Sequence, residues 1–111
     1  MPDPKTENLA EKILNPKDLI AYQDHAVVSR MLVYKKTGTI TLFAFDAGEG
    51  LSEHTAPFDA IAFIIDGEAE ISIDKTVFCL NEGQVIIMPA GKPHALFAKS
   101  RFKMMLTMIH E

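Results

Sequence analysis

The chain has 111 residues, a hydrophobic fraction of 48% and a formal net charge of −4. That is the size of one domain, with enough apolar material for a core of its own. The negative balance, with Lys35-Lys36 as the only adjacent basic pair, argues against nucleic acid, which needs a clustered basic face. The single Cys79 excludes an internal disulfide and suits a reducing compartment. No stretch reaches the roughly 20 apolar residues that span a bilayer, and the start lacks a signal-peptide pattern. The expectation is a cytoplasmic protein with neither a nucleic-acid nor a membrane partner.

Residues 1–17 are polar, with three prolines. They read as an N-terminal arm or a short helix, capped by Thr6, running through Leu9, Ile13 and Leu14 and stopped by Pro16. Leu9 and Ile13 would then lie on the body as a lid. Short β-type runs follow, divided by turn signals. They are Ile20 to Tyr22, Ala26 to Tyr34, Thr39 to Phe45 and Ala60 to Ile65. The run Ala60 to Ile65 is apolar without a break, so both of its faces need cover. Phe63 and Ile65 on its far face would be covered by a second sheet or a partner. Asp66-Gly67 predicts a tight hairpin into the alternating Glu68 to Asp74. Asp74-Lys75 predicts another, into Thr76 to Leu80. Asn81-Glu82-Gly83 turns into Val85 to Met88, and Pro89 to Pro93 form a loop before His94 to Ala98. Phe102 to Ile109 closes the set. Turns at this spacing indicate an all-β sandwich or barrel.

Two stretches place a histidine at a fixed distance from a glycine turn. In the first, Gly48 is followed by five residues, His54, one residue, Ala56, three residues, Ala60, six residues and Gly67. In the second, Gly83 is followed by five residues, Pro89, Ala90, Gly91, two residues, His94, three residues and Ala98. These spacings resemble, from end to end, the two motifs of the cupin superfamily. The short stretch between them is similar to that of the small bacterial type. The resemblance covers residues 26–110 and implies a jelly-roll barrel (a double-stranded β-helix), usually dimeric, with a site in its mouth. In metal-binding members, two histidines and a glutamate of the first motif and the histidine of the second hold a divalent ion. Carried over, His54 and His94 occupy the first and last ligand positions. Ala56 stands at the second histidine position, Ala60 at the glutamate position and Ala98 at that of a late asparagine.

Strand alternation puts Ser52, His54 and Ala56 on one face, Ala60, Ala62 and Ile64 on another, and His94, Leu96 and Ala98 on a third. In the cupin register these faces line the barrel. Two imidazoles without further ligands fall short of the three or four that a stable zinc site uses. Any divalent transition metal (Zn, Ni, Cu, Mn or Fe) would bind weakly. Near neutral pH, one histidine can accept a hydrogen bond while the other donates.

The leading reading is a small organic ligand held in the barrel mouth by His54 and His94, with Ala56, Ala60, Ala62 and Leu96 around it, in a homodimer. A divalent-metal-dependent oxygenase or isomerase using the two histidines is the alternative, and a structural or regulatory dimer without a live pocket is the third. Cys79 reads as a buried inert thiol. His25 and His110 read as solvated, Asp59 as a strand start, and Met104, Met105 and Met108 as core or interface fillers.

Overall fold

The computed structural model describes residues 9–110. They form eight strands: β1 Val27–Lys35, β2 Gly38–Phe45, β3 Gly50–His54, β4 Asp59–Ile73, β5 Thr76–Asn81, β6 Val85–Met88, β7 His94–Phe97 and β8 Phe102–Ile109. All pairings are antiparallel. One sheet runs β1-β2-β8-β4-β6 and the other β5-β4-β7-β3, so β4 belongs to both. The architecture is the expected all-β jelly roll.

The dual role of β4 corrects the hairpin expected at Asp66-Gly67. The chain does not turn back there. It runs through as one strand of 15 residues, bending from the first sheet into the second. Up to Gly67 it pairs with β8, with a bulge between Ile64 and Asp66; from Glu68 it pairs with β5. Gly67 carries φ +75°, and a Cβ there would collide with the Arg101 carbonyl oxygen. Glycine alone accepts both conditions. The bend brings the two ends of β4 to the same end of the barrel, near the loop after β6. The Asp74-Lys75 hairpin is as expected, with positive φ at both residues, 49° and 71°, as a type I′ turn requires.

The core lies between the sheets. Inward residues of β2, β4, β5, β6, β7 and β8 meet in one buried cluster, in which the Phe45 and Phe102 rings stack with centroids 4.4 Å apart. Met104 is fully buried in this cluster and Met108 packs against it. At the end opposite the mouth, Asp46 fastens three segments. Its carboxylate accepts from the His25 backbone N–H (2.7 Å), the Ala47 N–H (2.9 Å) and Arg101 Nε (2.7 Å). Those bonds favour the anion, with the Arg101 guanidinium the largest influence, and hold its pKa down to about 2.

The amino-terminal segment departs from expectation. Thr6 lies outside the described residues. Residues 9–15 are not helical, Ile13 is 99% exposed, and a single 3-10 turn begins at Pro16, where the helix was to stop. Proline's fixed φ and missing N–H suit the first turn of a helix, where that N–H would have no intrahelical partner. Ile20 to Tyr22, expected as a small strand, joins no ladder. This segment instead covers the outer face of the first sheet. Leu19, Ile20 and Tyr22 form a second cluster with Leu42, Ala44, Phe63, Ile65 and Met105. The far face of β4 is therefore covered from within the chain. Tyr22 Oη donates to Asp66 Oδ2 (2.8 Å), Arg30 to the Leu19 carbonyl (2.9 Å) and Lys103 to the Lys17 carbonyl (2.6 Å), which fixes the segment in place.

Candidate functional site

His54 closes β3 and His94 opens β7, and the two are register partners. Their rings meet edge to face, with centroids 4.4 Å apart and planes at 67°. His94 is 6% exposed, whereas His54 is open to solvent. Burial first, and then the neighbouring His54, push the His94 pKa below the usual histidine value, so its imidazole is neutral near pH 7.

Strict alternation did not place this pair. A register shift falls between Leu51 and His54, which breaks the period of two along β3. Leu51 packs on the core, and His54 meets His94.

The tautomers follow from the backbone. His54 Nδ1 lies 2.8 Å from the Ser52 carbonyl oxygen, and His94 Nδ1 lies 3.3 Å from that of Lys92. A carbonyl only accepts, so each Nδ1 carries the proton and donates. Both Nε2 atoms then keep their lone pairs. With both rings neutral, this tautomer makes the pair two acceptors rather than one donor and one acceptor.

The loop from Pro89 to Pro93 is tied to the first motif. Gly91 N–H donates to the Ala56 carbonyl (2.9 Å) and Ala90 N–H to Asp59 Oδ1 (2.8 Å). Asp74 N–H donates to the Pro93 carbonyl (2.8 Å). Asp59 is thus a strand start whose carboxylate positions the loop that carries His94.

Ala56 is half-buried in the loop after β3, and its carbonyl holds Gly91. Ala60, Ala62 and Leu96 lie in the buried cluster at 3%, 0% and 5% exposure, as does Ala98. An open groove of about 390 Å³ lies between β5 and β6 and includes Ile73, Ile86 and Lys92; its lining contains neither histidine and none of Ala56, Ala60, Ala62 and Leu96. Lys92 was not singled out from the sequence, because its place in the groove comes from strands that are distant along the chain.

His110 is half-buried rather than solvated. It stacks on Phe58 at 3.9 Å between centroids and faces the Lys36 carbonyl through Nδ1 (3.2 Å). Its Nε2 is buried without a hydrogen-bond partner among the described residues. His25 is exposed, as expected. Cys79, expected to be buried, is exposed, because its parity on β5 is opposite to that of buried Leu80.

Among the described residues, no group of three or more His, Cys, Asp and Glu side chains is placed to hold a metal ion. The alanines at two ligand positions leave His54 and His94 short of the donor set that a tight divalent site needs. Nor is any helix among the described residues long and apolar enough to cross a membrane.

An eight-stranded jelly roll with two histidines paired at the ends of β3 and β7 defines a class of small β-barrel proteins. A model of the cupin domain matches residues 41–110, well over half of the chain, and the protein belongs to the cupin family. Solved structures agree. A conserved protein of unknown function from Streptococcus pyogenes is 38% identical over 91% of this chain and 89% of its own, with a TM-score of 0.86. A cupin superfamily protein from Desulfitobacterium hafniense is 33% identical over 95% and 97%, with a TM-score of 0.87. A cupin 2 conserved barrel domain protein from Leptotrichia buccalis is 34% identical over 84% of this chain and 45% of its own, with a TM-score of 0.82. No curated protein matches the sequence.

Proposed function

We propose that this cupin binds a small organic molecule in its mouth, with His54 and His94 as the polar contacts. The observation that carries the reading is the contact each ring makes through Nδ1 to a backbone carbonyl. Two adjacent imidazoles, each held through Nδ1 by a carbonyl of its own strand or loop, present acceptor nitrogens at Nε2. Such a pair suits a ligand with a hydroxyl or amino hydrogen. Metal, where it binds, is held weakly.

The same tautomer leaves each Nε2 lone pair able to ligate metal, and it supports the metal-dependent oxygenase or isomerase as the second reading. One experiment separates the two. Tag-free protein is loaded with Zn, Ni, Cu, Mn or Fe, dialysed and assayed for metal per chain, beside His54→Ala and His94→Ala. The ligand reading expects far less than one equivalent. Near-stoichiometric metal that both substitutions abolish would overturn it in favour of the metal enzyme.

The protein is further proposed to act as a homodimer in the cytoplasm. Edge strand β1, with Met31, Val33 and Tyr34 exposed, supports pairing between copies. Sedimentation of wild type and Val33→Lys checks it, since a charge on a paired edge favours the monomer.

A further inference from the structure

The groove beside the histidine pair has a composition of its own. Ile73, Phe78, Ile86, Ile87 and Pro89 make it largely apolar. Ile73 and Ile86 also pack against the buried cluster, so the core forms its floor. Ile73 is the register partner of His94. Partners in a ladder share a face of the sheet, so this floor continues to the imidazole.

Three polar residues complete the groove: Asp74, Thr76 and Lys92. Among the described residues, no carboxylate stands within ion-pair distance of the Lys92 ammonium, and no cation within that distance of Asp74. Among the described residues, Lys92 is the only cation that lines the groove. The acceptor nitrogens of the histidine pair would repel carboxylate oxygens, and the Lys92 ammonium attracts them.

From this arrangement, and resting on the histidine-pair reading above, we infer that the ligand is a monocarboxylic acid with an apolar body. Its carboxylate sits on Lys92, its hydrocarbon lies against Ile73, Phe78 and Ile86, and a hydroxyl or amino hydrogen is donated to the histidines. Asp74, on the same groove, opposes a second carboxylate and so sets the preference for monoacids over diacids. A volume of about 390 Å³ lies at the small end of the usual range for ligand pockets, which fits a metabolite-sized acid rather than a large cofactor.

The test is a set of NMR titrations of backbone amides with phenyllactate, phenylpropionate, phenylpropionamide and phenylsuccinate, using wild type, Lys92→Met, Lys92→Arg and His54→Ala. Both monoacids are expected to shift the amides of Asp74, Ile86, Ile87 and Lys92, and to bind about tenfold tighter than the amide, as loss of a charge-assisted hydrogen bond implies. Lys92→Met should reduce the acids to the affinity of the amide, while Lys92→Arg retains most of the binding. Phenylsuccinate should bind more weakly than phenylpropionate. His54→Ala should bring phenyllactate down to phenylpropionate and leave the latter unchanged. Equal affinity for acid and amide, indifference of the acids to Lys92→Met, or no shift with any acid overturns the inference. Phenyllactate binding that is lost in His54→Ala but unaffected by Lys92→Met overturns the role of Lys92 and leaves the histidine reading standing. Binding that depends on Lys92 but is equal for both monoacids in wild type and His54→Ala overturns the histidine contact instead.

Discussion

His54 and His94 meet edge to face at 4.4 Å between ring centroids, yet only His94 is buried. The pair is therefore asymmetric in solvation although each ring makes the same Nδ1 contact to a carbonyl two residues earlier. Burial first, and then the charge of a protonated His54, oppose protonation of the His94 ring.

The first prediction concerns that resistance. The His94 pKa lies below the value of 6.5 expected in the unfolded chain. Between the two values the unfolded chain binds more protons than the folded one. The His94 contribution to stability is thus full above about pH 6.5 and is lost as pH falls through the window down to the folded value. His54→Ala removes the like-charge neighbour but leaves the burial. Titration of the ring protons by NMR should show the His94 pKa rising in that variant while remaining below 6.5. An unchanged value would mean that the rings do not sense each other.

A second prediction tests the bend in β4. Gly67→Ala places a Cβ at φ +75° against the Arg101 carbonyl. The left-handed backbone alone costs about 1–2 kcal/mol for a residue with a side chain, and the collision adds to it. Urea denaturation should show a loss of at least ~1 kcal/mol. A variant as stable as wild type would show that the strand can change sheets without glycine.

Gly67 also shows where the sequence stops being readable. The Asp-Gly dipeptide at 66–67 and the positive-φ pair at Asp74-Lys75 look alike locally. The first is a bulge in a continuing strand and the second a hairpin, and only the partner strands, β8 against β5, decide between them. Local signals sufficed for β6 and β8, whose ends are marked by Gly, Pro and Ser, and the two motif spacings correctly indicated the barrel. Alternation failed at Leu51 to His54 because a bulge breaks the period of two. Lys92 was invisible because the groove that gives it meaning is built from β5 and β6, brought together by the fold.

The third prediction concerns acid stability. Asp46 is held at a pKa of about 2 against 3.8 in the unfolded chain, chiefly by Arg101. Its contribution is full above about pH 3.8 and is lost as pH falls through about 2. Asp46→Asn removes the charge that Arg101 pairs with. The variant should be less stable at neutral pH, and its thermal midpoint should fall less steeply between those two pH values. An unaltered pH profile would show that the carboxylate is not the group that acid attacks.

The fourth prediction concerns the segment at Leu19 to Tyr22. Ile20 is 6% exposed and packs with Leu42, Ala44 and Ile65 on the outer face of the first sheet. Truncating a buried isoleucine typically costs 2–5 kcal/mol. This cluster lies at the edge of the fold, where the backbone can settle into the gap, so Ile20→Ala should cost about 2 kcal/mol. Ile13→Ala, at a position 99% exposed, should cost nearly nothing. Equal effects of the two substitutions in chemical denaturation would contradict a covering role confined to Leu19, Ile20 and Tyr22.

The last prediction uses the only thiol. Cys79 sits on the outer face of the second sheet, across the ladder from Glu70, whose carboxylate is 3.2 Å from Lys99 Nζ. Its neighbour Leu80 points into the core and is 5% exposed, so the two positions have opposite fates on one strand. An exposed thiol needs no unfolding to react. Native protein mixed with an aromatic disulfide reagent should release one equivalent of thiolate, at a rate that urea raises only modestly. Cys79→Ser should release none and keep the wild-type midpoint, since little packing is lost. Protection of the native thiol, relieved by denaturant, would place a cover on this face that the single chain does not supply. Because Phe97, on β7 beyond Glu70, is 44% exposed on the same face, a second copy of the chain would be the first cover to test by sedimentation.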